Sequence, residues 1–260
     1  MKIASFNING IKARLPALLD WLSAAKPDVV CLQEIKSQDH LFPREAIEDA
    51  GYNLETHGQK SFNGVAILSR FPIEDVTRGL PGDEEDEQAR WIEATISGDE
   101  AAVRICGLYL PNGNPAPGPK YDYKLAWMER MRVRAAELIA AEEIAVMAGD
   151  YNIIPQAGDA AKPEAWVDDA LFRPESRAAF RRILHQGWTE AWRDRHPVPG
   201  DYTFWDYQAG AWQRNNGIRI DHLLLSPQAA DRVQDMGIDA AIRGGEKPSD
   251  HVPIWVDLKL

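Results

Sequence analysis

Two cysteines in 260 residues are too few for a disulfide framework. Cys31 and Cys106 each sit inside an apolar run, Val-Val-Cys-Leu and Arg-Ile-Cys-Gly-Leu. A thiol in such a run serves as a small buried hydrophobe, so both are expected to be reduced and inert. The six histidines show no paired ligand spacing and the cysteines stand apart, which argues against a zinc centre. No serine lies in a nucleophile-elbow setting, which argues against a Ser-His-Asp hydrolase. Long apolar runs are missing as well: none approaches the roughly 18 residues of a membrane helix, so no membrane contact is expected. The first residues, Met-Lys-Ile-Ala-Ser-Phe-Asn, run straight into a strand-like segment, and the protein is expected to be cytoplasmic. Basic charge is also short, with 29 Lys and Arg against 40 Asp and Glu and a net charge of −11. That balance does not exclude a polyanionic partner, because such a partner needs only a local basic groove and a divalent cation held by carboxylates. No repeat at the period of a solenoid and no low-complexity segment occurs.

What the chain does have is enough apolar content, 45%, for one large core, and a single domain over residues 1–260 is expected. Strand-like runs rich in Val, Ile and Leu fall at 2–7, 28–33, 63–69, 91–96, 102–110, 144–149, 188–192, 220–226 and 252–258. Helical spacing relates Leu15, Leu18, Leu19 and Leu22; Tyr121, Leu125, Met128, Met131, Ala135 and Leu138; and Phe180, Ile183 and Leu184. The class is mixed α/β. Pro111 to Pro119, Pro155 to Pro163 and His196 to Gly200 read as surface loops, and Gly82 to Glu87 as a solvated acidic loop.

Several apolar runs end abruptly in a polar side chain: Asn7, Glu34, Tyr109, Asp150 with Asn152, Asp221, and the Ser249-Asp250-His251 triplet before the last run. Loops at strand ends are where catalytic groups collect. Taken singly, each has a plain structural reading as a turn former, a cap or a packed amphipathic side chain. Phosphodiester hydrolysis would gather these residue types, since it needs an activated water, neutralisation of developing charge and protonation of the leaving oxygen. Oxygen ligands such as Glu34, supported by Asn7 and Asp250, suit Mg²⁺. A carboxylate such as Asp150 can take a proton from water if its pKa is raised, and His251 paired with Asp221 or Asp250 can position or protonate phosphate oxygens.

The segments Phe6-Asn7-Ile8-Asn9-Gly10, Cys31-Leu32-Gln33-Glu34-Ile35-Lys36, Asn63-Gly64-Val65-Ala66-Ile67-Leu68-Ser69, Tyr109-Leu110-Pro111-Asn112-Gly113, Gly149-Asp150-Tyr151-Asn152, Tyr202-Thr203-Phe204-Trp205-Asp206-Tyr207, Arg219-Ile220-Asp221 and Ser249-Asp250-His251 stand in one order. In that order and spacing, from Lys2 to Leu260, the chain resembles exonuclease III and its abasic-endonuclease relatives, within the endonuclease/exonuclease/phosphatase superfamily. The resemblance implies a four-layer α/β sandwich: two mixed β-sheets packed face to face, flanked by helices, with the site at one rim. It implies Glu34 as principal metal ligand, Asn7 beside it, and Asp250 near the metal or orienting His251. Asp150 would activate the attacking water or otherwise handle its proton, Asn152 and Tyr109 would hold the scissile phosphate, and His251, oriented by Asp221, would bind a phosphate oxygen.

Phe204, Ile218 and Ile220 match positions that wall a small pocket for an extruded abasic sugar, with Trp205 packed behind. Arg90, Asn112, Lys120 and Gln208 are candidate DNA contacts, a solvated face being the alternative. The activity so implied is a Mg²⁺-dependent phosphodiesterase, with Mn²⁺ able to substitute. It would act as a monomer on double-stranded DNA with abasic sites, nicks or 3′ ends, as abasic-site endonuclease and 3′→5′ exonuclease. Two other classes stay in view. A same-fold phosphoesterase on a small molecule or lipid headgroup is opposed by the Tyr202 to Trp205 and Arg219 to Asp221 segments, and a non-catalytic DNA-binding relative by the complete catalytic set.

Overall fold

Continuous runs of Val, Ile and Leu suit strands covered on both faces, and the central strands are buried at every residue. The computed structural model describes residues 1–260. Its strands are β1 (Lys2–Asn7), β2 (Val29–Gln33), β3 (Asn53–His57), β4 (Val65–Ser69), β5 (Ile73–Arg78), β6 (Trp91–Ser97), β7 (Ala102–Tyr109), β8 (Ala145–Asp150), β9 (Thr189–Glu190), β10 (Asp221–Leu225), β11 (Val233–Ile238) and β12 (Ile254–Leu258). The helices are α1 (Ile11–Ala25), α2 (Arg44–Asp49), α3 (Pro119–Ala140), α4 (Pro174–Leu184), α5 (Ala191–Arg195) and α6 (Pro227–Ala230). Two six-stranded sheets form, in the orders β11-β12-β1-β2-β4-β3 and β5-β6-β7-β8-β10-β9.

Strand alternation divides the core into layers. Ile3, Val29, Cys31, Ile67, Ile105, Val146 and Leu223 point between the sheets. On the outer face of the first sheet, Ala4, Phe6, Val30 and Leu32 meet Leu18, Leu22 and Ile47 from α1 and α2. On the outer face of the second, Trp91, Leu108 and Met147 meet Trp127, Met131, Phe180 and Ile183 from α3 and α4. This is the helix, sheet, sheet, helix sandwich that the resemblance implies. Both cysteines are free and fully buried, Cys31 in the middle layer and Cys106 under α3.

Four expectations need correcting. The run at 188–192 is a strand only at Thr189 and Glu190, because the Glu190 carboxylate accepts the backbone N–H of Arg193 and starts α5. Pro119 belongs to α3, where its missing N–H costs nothing in the first turn. The loop from Pro155 to Pro163 is not all surface: Asp159 is fully buried, paired with Arg219 at 3.0 Å and with Arg193. Nor is the acidic loop freely solvated, since Asp86 is bonded to Tyr123 and Arg130 of α3.

Candidate active site

Parallel pairing sends the ends of two strand pairs to the same rim. Asn7 lies beside Gln33 at the ends of β1 and β2, and Tyr109 beside Asp150 at the ends of β7 and β8. β10 starts at that rim, running antiparallel to β8 and placing Asp221 across from Asp150. β12 runs antiparallel to β1, which brings the preceding residues to the end of β1, where the Ser249 hydroxyl donates to Asn7 O at 2.7 Å. The chain turns sharply beyond these ends: Asn9, Glu34 and Asn152 all have positive φ, at 47°, 48° and 48°. Non-glycine residues persist in that region only where their surroundings hold them.

The Asn7 amide nitrogen donates to Glu34 Oε1 and to Asp150 Oδ2, both at 2.9 Å. Asn7 thus bridges two carboxylates through N–H groups, and its carbonyl accepts from the Asn9 backbone. Asp150 Oδ2 lies 3.7 Å from His251 Nε2, and His251 Nδ1 lies 2.8 Å from Asp221 Oδ2. Hydrogen bonds thus join Glu34, Asn7 and Asp150, and His251 with Asp221, while a 3.7 Å charge contact links the two groups.

Burial pushes the Asp150 carboxyl up to about 7, with Asp221 raising it and His251 opposing. For His251 burial acts downward, but the carboxylates of Asp221 and Asp150 overcome it and lift the imidazole to about 10. The cluster therefore favours a proton on His251 at neutral pH, while burial makes Asp150 a readier proton acceptor than an ordinary carboxylate. Burial also disfavours ionised Glu34, yet the hydrogen bond from Asn7 and the ammonium of Lys36, 2.9 Å from Oε2, hold it below the usual range. Tyr109 is pushed well above 10 by burial and by the charges of Glu34 and Asp150, and stays a neutral donor.

Glu34, Asp150 and His251 offer ligand atoms within 4.8 Å of one another, and with His251 protonated it is the two carboxylates that fit a metal ion. Two carboxylates and a single imidazole, with no thiol, form an oxygen-rich corner suited to a hard divalent cation rather than to zinc. Asp250 is not in that group: its Oδ1 accepts from Asn9 Nδ2 at 2.9 Å, and of the two carboxylates considered for His251 it is Asp221 that holds the ring.

Around this centre the other expected residues divide. Asn112 Nδ2 donates to Asn152 Oδ1 at 3.2 Å, and Asn152 Nδ2 to Leu110 O at 2.9 Å. The Arg90 guanidinium stacks 4.8 Å over the Tyr109 ring and donates to Tyr109 O. Lys120 is exposed in the first turn of α3 and joins no part of the cluster. Phe204 packs edge-on against His251, 5.0 Å between ring centres, and with Ile218 lines a cavity of about 230 Å³. Gln208, Ala209 and Trp166 line it too. Ile220 does not: it is buried among Ile154, Leu171 and Phe172, one layer deeper than expected. Trp205 packs behind, against Tyr202 and Trp212, its indole N–H donating to Asn215.

Sequence reasoning missed Asn9, Lys36 and Trp166 as site residues. Asn9 ties Asp250 to the Lys36 ammonium, and its signal was present in the Asn-Ile-Asn-Gly segment. Trp166 ends a 3₁₀ turn, Pro163–Trp166, and carried no local signal.

The family model for the endonuclease/exonuclease/phosphatase family matches residues 4–251. The chain is 36% identical to exodeoxyribonuclease III of Haemophilus influenzae, over all of both chains. An AP endonuclease from Archaeoglobus fulgidus is 36% identical and superposes with a TM-score of 0.95, again over all of both chains. The 3′ phosphatase NExo from Neisseria, solved with a product DNA hairpin, gives 0.96 at 36% identity and full coverage of both. With the fold, the rim and these likenesses in agreement, the chain belongs to the endonuclease/exonuclease/phosphatase family.

Proposed function

We propose that this chain is a metal-dependent DNA-repair phosphodiesterase that incises double-stranded DNA at abasic sites and removes nucleotides and blocking groups from 3′ ends. The observation that carries the reading is the buried chain Asp150, His251, Asp221, set beside the accessible carboxylate of Glu34. Glu34 and Asp150 would hold the cation, with Asn7 fixing the spacing of the two carboxylates. Mg²⁺ is the expected ion, Mn²⁺ substituting, and its chemistry there would be to neutralise charge on the phosphate.

The protein's own groups supply the rest. Asp150, whose pKa burial raises, takes a proton from the attacking water. Cationic His251, fixed by Asp221, faces a phosphate oxygen whose negative charge grows in the transition state. Tyr109 and the amides of Asn152 and Asn112 hold the same phosphate as neutral donors. The cavity beside Phe204 receives the extruded sugar, since flipping costs least where no base is stacked. Arg90 and Gln208 flank the track of the strand. No helix is long and apolar enough to cross a membrane.

A duplex carrying one synthetic abasic site tests the reading. Cleavage at that site with Mg²⁺, its loss in excess EDTA and its return with added metal are expected. Undiminished cleavage in EDTA, or none with either Mg²⁺ or Mn²⁺, would overturn it.

A further inference from the structure

Lys124 is fully buried in α3, where a charged side chain is seldom found without a carboxylate against it. Its Nζ instead donates to two backbone carbonyls, Asn112 O at 3.0 Å and Asn152 O at 2.7 Å. Those two residues belong to different segments, one following β7 and the other following β8, and their side-chain amides are bonded to each other at 3.2 Å. Each amide nitrogen has two N–H groups. Asn112 uses one on Asn152, and Asn152 uses one on Leu110 O, so the second of each has no protein acceptor.

The loop rests directly on the lysine stem. Gly113 has φ of 90°, and a Cβ there would lie 2.7 Å from Lys124 Cδ. Asn152, at φ of 48°, is in a conformation that needs external support. The depth of the site adds one more point: burial depresses the ammonium to about 7, with Asp169 and Asp150 drawing it back up, and even the neutral amine keeps two donors for two carbonyls.

We propose that Lys124 is a positioning residue for catalysis: by clamping the backbones of Asn112 and Asn152 it sets their side-chain amides as a two-pronged phosphate grip. It touches no reacting atom and acts through Asn152. The inference rests on the reading of Asn152 as a phosphate holder.

The test is a double-mutant cycle read in kcat on the abasic duplex with Mg²⁺, using Lys124→Met, Asn152→Ala and the double variant. Lys124→Met keeps the apolar stem and removes both donors. It is expected to lower kcat at least ~10-fold in the wild-type background, the scale of a mispositioned group. In the Asn152→Ala background its effect should shrink below about twofold, because one amide is gone and the other has lost the partner that holds it. A Lys124→Met protein with wild-type kcat, or one losing the same factor in both backgrounds, overturns the positioning role and leaves Lys124 a structural residue. If Asn152→Ala itself keeps wild-type kcat, the phosphate-holding reading fails instead. Should Lys124→Met not fold, Lys124→Gln, whose amide keeps two N–H groups but on a stem one bond shorter, carries the same cycle with the same outcomes.

Discussion

Replacing Asp221 by Asn keeps the shape of the side chain and an acceptor for His251 Nδ1, but removes the charge that lies 2.8 Å from it. His251 is lifted from 6.5 to about 10. At ~1.36 kcal/mol per pH unit that span is worth about 5 kcal/mol, shared between Asp221 and Asp150. Breaking a buried charge pair costs about 3–5 kcal/mol, so a share of about 3 kcal/mol for Asp221 is the working figure. The sign follows from the direction of the shift. A histidine whose pKa is higher folded than unfolded stabilises the fold fully below about 6.5, and loses that contribution as pH rises through about 10. Urea unfolding of the metal-free proteins at pH 6, 8 and 10 should therefore show Asp221→Asn less stable by about 3 kcal/mol at pH 6, the gap closing by pH 10. With Mg²⁺ present, kcat at neutral pH should fall by ~10²-fold, because without Asp221 burial favours neutral imidazole. A stability gap that is constant or widening from pH 6 to 10 would refute the pairing argument.

Glu34→Gln should raise the Mg²⁺ concentration needed for half-maximal cleavage, read by metal titration, while leaving the fold intact, since Glu34 is the accessible carboxylate of the metal group. Asp150→Asn should lower kcat by at least ~10²-fold with DNA still bound in a gel-shift assay; near-wild-type kcat would remove it as the proton acceptor. Phe204→Ala should erode the ratio of abasic to intact duplex cleaved, and lower stability by no more than ~3 kcal/mol because the ring is only partly buried. If it merely lowers the melting temperature at an unchanged ratio, the cavity has no part in discrimination. Binding should weaken with added salt and be indifferent to flanking sequence, since the sequence shows no recognition-helix, zinc-finger or homeodomain pattern.

The inner strands were legible because strands covered on both faces need unbroken apolar runs, as in Val29 to Leu32 and Val146 to Ala148. The strands that escaped the sequence, β3, β5 and β11, all lie at sheet edges. There segments such as Ile-Glu-Asp-Val-Thr-Arg take polar residues and lose the signal. Polar strand endings pointed to the rim because strand polarity alone decides which ends meet. What no local pattern carries is the choice between neighbours. Asp221 rather than Asp250 orients His251, and Trp166 rather than Ile220 faces the cavity. Both outcomes depend on how loops from distant segments settle on the rim.

Asn7, Glu34 and His251 are carried by one sheet, and Tyr109, Asp150, Asn152 and Asp221 by the other. The bonds Asn7 to Asp150 and His251 to Asp221 are thus sutures across the seam between two independently hydrogen-bonded slabs. Neither slab holds a working half. A slip of one slab over the other by about an ångström would part Asn7 from Asp150 and His251 from Asp221 while every strand ladder stayed intact. Enzyme activity is then a gauge of how the slabs are seated. A void cut into the layer between them, at Ile105 or Val146, should cost turnover out of proportion to stability, whereas one of equal size under α3, at Met131, should cost stability alone.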